Sequence, residues 1–182
     1  MKVFILSVCL ALCALPAFAE SKKTAKATEF KYAPDACEFQ ITFPEKFFKA
    51  QKCDSDNNCY DVVSFAMKDK DSNVDFRVIC AAKNPEEIKT LRTSDLKSSV
   101  NELAISSGLR PMGADVATLQ NNVLSAVSIA LGARGTKDTI YTGQFWIGNS
   151  SMMTLEAEMR GPSNKKIETI YSGILESVKS KP

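Results

Sequence analysis

The residues able to do chemistry are few, and an absence narrows the field first: the 182-residue chain contains no histidine. That excludes Ser-His and Cys-His nucleophile pairs and removes the commonest ligand of zinc, copper and iron. Glu156 and Glu158 stand two apart in a run of alternating polarity. Both therefore project from one face of a strand, as the paired carboxylates of a hydrolytic site would. Thr154 and Arg160 share that face, and Leu155, Ala157 and Met159 form the opposite, buried one. The favoured reading is a solvated sheet face, with a histidine-independent hydrolase as the alternative. A serine nucleophile would need a lysine base, and both residue types are too numerous for one pair to stand out. None of the eight glycines builds a phosphate-cradling loop, so no catalytic or cofactor-binding residue is assigned and no cofactor is expected.

Asp54-Ser-Asp56-Asn-Asn58 opens like a calcium loop, and Asp69-Lys-Asp71-Ser-Asn73 repeats its spacing. An EF-type loop needs Gly at its sixth position and Glu at its twelfth. Counting from Asp54 gives Cys59 and Phe65, and from Asp69 gives Val74 and Cys80. Both read as Asp/Asn-rich turns, with weak calcium binding at Asp54, Asp56 and Asn58 left open and no metal site assigned.

The leader explains part of the composition. Lys2, an apolar run of about 12 residues and Ala17-Phe18-Ala19 form a secretory signal peptide over residues 1–19, the run being too short to span a bilayer. Its removal takes away Cys9 and Cys13 and leaves 163 residues, enough for one domain with its own core. The whole chain carries a net charge of only +2, which offers no field to attract nucleic acid. Residues 20–36 hold Lys22, Lys23, Lys26 and Lys31 without apolar periodicity and read as a flexible basic tail.

The elements that must position any site follow over residues 37–180. Cys37, Phe39, Ile41 and Phe43 share one face of a strand that Pro44 stops. Val63, Phe65 and Met67 mark a second strand, and Val74, Phe76, Val78 and Cys80 a third, joined by a polar hairpin loop over 68–73. Asn84-Pro85-Glu86-Glu87 is a helix start whose apolar stripe slips near Thr93-Ser94-Asp95 and ends at Gly108. Strand-like runs cover 114–120, 123–133, 139–147 and 151–160. The run 123–133 is apolar on both faces, like a strand covered on both sides, while Ala126, Ala130 and Leu131 keep a helix in competition. Ile167, Ile170, Tyr171, Ile174 and Val178 give the last helix. The result is an α+β fold: a mainly antiparallel sheet of about six to seven strands with two main helices packed on it.

Four cysteines of an exported chain imply bridges. Cys37 and Cys80 lie on the apolar faces of the first and third strands, and Cys53 and Cys59 bracket one short loop. Parity thus pairs Cys37 with Cys80 and Cys53 with Cys59; no C-x-x-C remains for a redox or zinc site. Phe47 and Phe48 follow Pro44 outside any strand period. Two adjacent rings cannot both enter the core from a regular element, so Phe47 and Phe48 are the candidates for contact with a partner through whichever ring is exposed, against the slightly favoured reading that both are buried under an irregular loop.

Phe39-Gln-Ile41-Thr-Phe43-Pro44-Glu-Lys-Phe47 resembles the opening strand of Mog1/PsbP-like domains, and the run from Tyr141 through Ile174-Leu175-Glu-Ser177-Val178 is similar to their closing hairpin and last helix. The resemblance implies a layered α/β/α sandwich and a non-enzymatic accessory role, in which the domain binds another envelope or secreted protein. It supplies no catalytic residue. The four cysteines are a departure from the family pattern. Export is checked by intact mass: the native protein should begin at Glu20, and retention of residues 1–19 would contradict the signal-peptide reading.

Overall fold

The computed structural model describes residues 29–53, 55 and 59–182. The signal peptide, residues 20–28 of the tail, and Asp54, Asp56 and Asn58 lie outside these. The strands are β1 Phe30–Tyr32, β2 Phe39–Phe43, β3 Phe48–Cys53, β4 Cys59–Asp69, β5 Ser72–Ala82, β6 Arg110–Thr118, β7 Leu124–Arg134, β8 Lys137–Ile147, β9 Ser151–Arg160 and β10 Lys179–Ser180. The helices are α1 Pro85–Lys89, α2 Thr93–Ser106 and α3 Lys165–Glu176. Seven strands form one antiparallel sheet in the order β3-β4-β5-β9-β8-β7-β6, and β1-β2-β10 form a small second sheet.

Period-two sequence dictates which face each side chain takes. Val63 and Phe65 on β4, Val74, Phe76 and Val78 on β5, and Met153, Leu155 and Ala157 on β9 are buried on one face of the large sheet. Onto them pack α3, through Ile167, Tyr171 and Ile174, and β2, through Phe39, Ile41 and Phe43. Phe43 stands 5.3 Å from Phe65 and 6.5 Å from Phe76, which in turn meets Tyr171 at 5.6 Å. On the other face α2 covers β6, β7 and β8 with Leu96, Val100 and Ala104. Helices thus lie on both faces, giving the α/β/α layering.

Local chemistry fixes the connections. The Asn84 side chain accepts the backbone N–H of Glu86 with Pro85 in the first turn, and the Asn164 side chain accepts from Lys166 and Ile167 at the start of α3. Glu38 accepts the backbone N–H groups of Asn149 at 3.0 Å and Ser150 at 2.8 Å, tying the start of β2 to the β8–β9 turn. Burial raises the pKa of Glu38, but these donors together with Ser151 outweigh it and hold it below the usual carboxylate range. A Cβ at Gly148 would fall on the Glu38 carboxylate, so a larger residue there would have to displace it from these donors.

Several expectations need correction. The tail does not extend to residue 36: Phe30–Tyr32 pairs with β2 and Tyr32 is buried, a three-residue alternation too short to register as a pattern. The 68–73 loop is a two-residue turn, because the polar pairs Lys68 with Asn73 and Asp69 with Ser72 continue the ladder and Lys70 takes φ 55°. The helix breaks at 90–92, before the Thr-Ser-Asp run, which instead starts α2. Residues 123–133 are strand, yet covered on one face only: Ile129 and Leu131 are 46% and 47% exposed on the other. Phe48 does not lie in an irregular loop but opens β3.

Cys37 is bridged to Cys80 and Cys53 to Cys59. The first bridge ties the segment before β2 to the large sheet across a separation of 43 residues, the second closes a hairpin across 6. Loop entropy makes the first worth about 4 kcal/mol and the second about 2 kcal/mol. Denaturant unfolding of the Cys37→Ala/Cys80→Ala protein should therefore show the larger loss. Equal losses from the two paired replacements would contradict this.

Candidate functional site

α2 covers only the β6–β8 half of its face, so the same face over β3, β4, β5 and β9 stands open. The register places Phe48 beside Ser64, Ala66 beside Asp75, Arg77 beside Glu156, and Asp75 beside Glu158 on this surface. They line an open depression of about 580 Å³ whose edge is Phe48, 70% exposed, and Lys46.

Glu156 and Glu158 do share a face with Thr154 and Arg160, but they are not loosely solvated: their side chains are only 20% and 15% exposed. Arg134 Nη2 lies 2.8 Å from Glu158 Oε1, and Arg160 Nε lies 2.9 Å from Glu158 Oε2 without hydrogen-bond alignment. Arg160 Nη2 also reaches Asp75 Oδ2 at 2.9 Å. Arg77 Nη1 lies 3.5 Å from Glu156 Oε1, and the Tyr141 hydroxyl donates to Glu156 Oε2 at 3.2 Å. Three guanidinium groups thus face three carboxylates in one ladder. Each of the two glutamates is met by a guanidinium, and Glu156 by a hydroxyl donor as well. The arrangement makes a polar, charge-matched surface.

The two candidate aromatics part company. Phe47 packs at 5.3 Å from Phe43 and 5.8 Å from Tyr32, against the core, while Phe48 points to the open face. Trp146 packs 6.1 Å from Phe39, its indole N–H donating to Gln144. Sequence reasoning missed Tyr141, Arg77 and Arg134 as neighbours of the glutamates, because their meeting depends on the register of strands far apart in the chain. Lys46 and Lys52 it could have found: with Phe48 and Ala50 they form a period-two run. Among the described residues, no group of three or more Cys, Asp or Glu comes together as a metal site, and no helix is long and apolar enough to cross a membrane.

The layers, the strand order and the closing helix define the PsbP-like α+β sandwich. Among solved structures the chain is similar to the solution structure of cyanobacterial PsbP (CyanoP) from Synechocystis sp. PCC 6803, with a TM-score of 0.57, 8% sequence identity, and coverage of 90% of this chain and 99% of that one. No family model and no curated protein matches the chain.

Three tyrosines of the interior hold their protons tightly. Burial pushes Tyr32 up to about 12, helped by the charge of Asp61. Burial likewise pushes Tyr171 up to about 12, against a bond with Thr142 that lowers it, and Tyr141 is raised further by burial and by the Glu156 charge. Unfolded phenols ionise near pH 10. Between about pH 10 and 12 the unfolded chain therefore binds fewer protons than the folded one, and stability falls as pH rises. Melting temperature should drop over that window, with these phenols ionising only as the protein unfolds. Ionisation of all tyrosines near pH 10 in the folded protein would contradict the burial.

Proposed function

We propose that this chain is an exported, non-catalytic accessory domain that binds a protein partner through the open face beside β3. The observation that carries the reading is Phe48. A large aromatic ring left 70% exposed at the rim of a depression is costly to keep in water, and rings of this kind anchor interfaces. The carboxylates next to it are locked into ion pairs, which suits a surface presented for contact and does not suit the hydrolytic alternative. Two disulfides fit an oxidising compartment outside the cytoplasm, in accord with a signal peptide over residues 1–19. The likeness to a cyanobacterial PsbP supports the fold on which this role is built.

Phe48→Ala should leave the melting temperature nearly unchanged and weaken binding to the protein recovered with the native chain by about thirtyfold, the equivalent of about 2 kcal/mol. Phe47→Ala should lower the melting temperature, since that ring packs on Phe43 and Tyr32. Normal partner affinity in a normally folded Phe48→Ala protein would remove this face from the function. Hydrolytic turnover that disappears in Glu156→Gln would replace the binding role with the enzymatic one.

A further inference from the structure

We propose that the partner engages this face as an extended acidic segment added as a further strand to the free edge of β3, a deepening that rests on the binding role above. Among the described residues β3 pairs with β4 alone and so ends the large sheet, leaving a row of backbone groups to receive a strand. Alternation puts Phe48, Ala50 and Lys52 on the open face, and Lys46 joins Phe48 at the rim of the depression.

Charge decides what such a strand must carry. Arg77, Arg134 and Arg160 are matched by Asp75, Glu156 and Glu158, and Lys49, on the opposite side of β3, is held by Asp61 at 2.7 Å. Among the described residues Lys46 and Lys52 have no carboxylate partner, so the open face keeps two uncompensated cations. Lysines on an edge strand also prevent pairing between like edges. A second copy would set lysines against lysines, whereas an acidic strand satisfies them.

Geometry adds a pattern. Phe48, Ala50 and Lys52 alternate along one face of β3, and Lys46, two residues before the strand, lines the depression with Phe48; a six-residue offset corresponds to about 20 Å of extended partner strand. A strand laid beside β3 places its own alternate residues against these four. The matching segment therefore has an acidic residue at each end of a seven-residue stretch and apolar residues at its third and fifth positions, opposite Ala50 and Phe48.

The probe is a terminally blocked heptapeptide, Glu-Thr-Val-Thr-Val-Thr-Glu, with a twin carrying Gln in place of both Glu, each titrated into the full mature protein and followed by amide chemical shifts. The sequence reads the same in both directions, so the test does not depend on strand orientation. The acidic peptide should shift amides over 46–53 and 60–66, bind at least about tenfold tighter than the twin, and lose that margin as sodium chloride rises to about 0.3 M. Lys46→Ala/Lys52→Ala, two exposed changes, should abolish the margin at unchanged melting temperature. Equal binding of both peptides at β3 would overturn the acidic preference while leaving the binding face standing. Shifts located elsewhere, or none at millimolar peptide, would overturn the strand addition. The Phe48→Ala comparison with the recovered partner then decides separately whether the binding role itself fails.

Discussion

Strand β2 has almost no contact with water, and the rest of the molecule is arranged around that fact. Phe39, Ile41 and Phe43 are wholly buried against the large sheet and α3, and Gln40 beside them is nearly so. A five-residue strand can be enclosed this way only if both its backbone edges are paired and its ends are pinned. β1 and β10 supply the edges. Just outside it, the Cys37–Cys80 bridge and the Glu38 carboxylate pin one end, and the Ser177 hydroxyl, accepting the N–H of Thr42, pins the other.

What remains open follows from widths. Seven strands spaced about 4.8 Å apart make a sheet roughly 30 Å across, and a single helix covers about 10 Å of it. α3 needs the small sheet beside it to close the β4, β5 and β9 region of its face. α2 works without such help and protects only β6 to β8. The uncovered areas are consequently diagonal: the charged face with Phe48 on one side, and the aliphatic patch of Ile129, Leu131 and Ile140 on the other. Three guanidiniums interleaved with three carboxylates make the first area polar and charge-matched, so it can face water without a covering element.

Legibility in the sequence tracked the range of the interaction. Period two in 37–43, 63–67, 74–80 and 151–160 gave the strands and their faces, and the same parity brought the cysteines into pairs. The amphipathic spacing of Ile167, Tyr171 and Ile174 gave α3 because that helix buries a single stripe. β3 was passed over, since its only apolar alternation is Phe48 and Ala50, set among Lys49, Gln51 and Lys52 on an exposed edge. β7 misled in the opposite direction: an apolar residue need not be a buried one, and Ile129 and Leu131 stand in water. The ion-pair ladder was only half readable. Arg160 lay on the glutamates' own strand, but Arg77 and Arg134 reach them through a register that no local pattern encodes.

The claim most exposed to test is that the open face beside β3, and not the aliphatic patch across the sheet, is where the protein meets its partner. Hydrogen exchange followed by mass spectrometry, comparing the free chain with the complex recovered intact, addresses it directly. The account predicts that binding slows exchange in residues 46–53 and along β4, with β6 and β7 unchanged. Protection gained instead around Ile129, Leu131 and Ile140, with residues 46–53 exchanging as in the free chain, would contradict it.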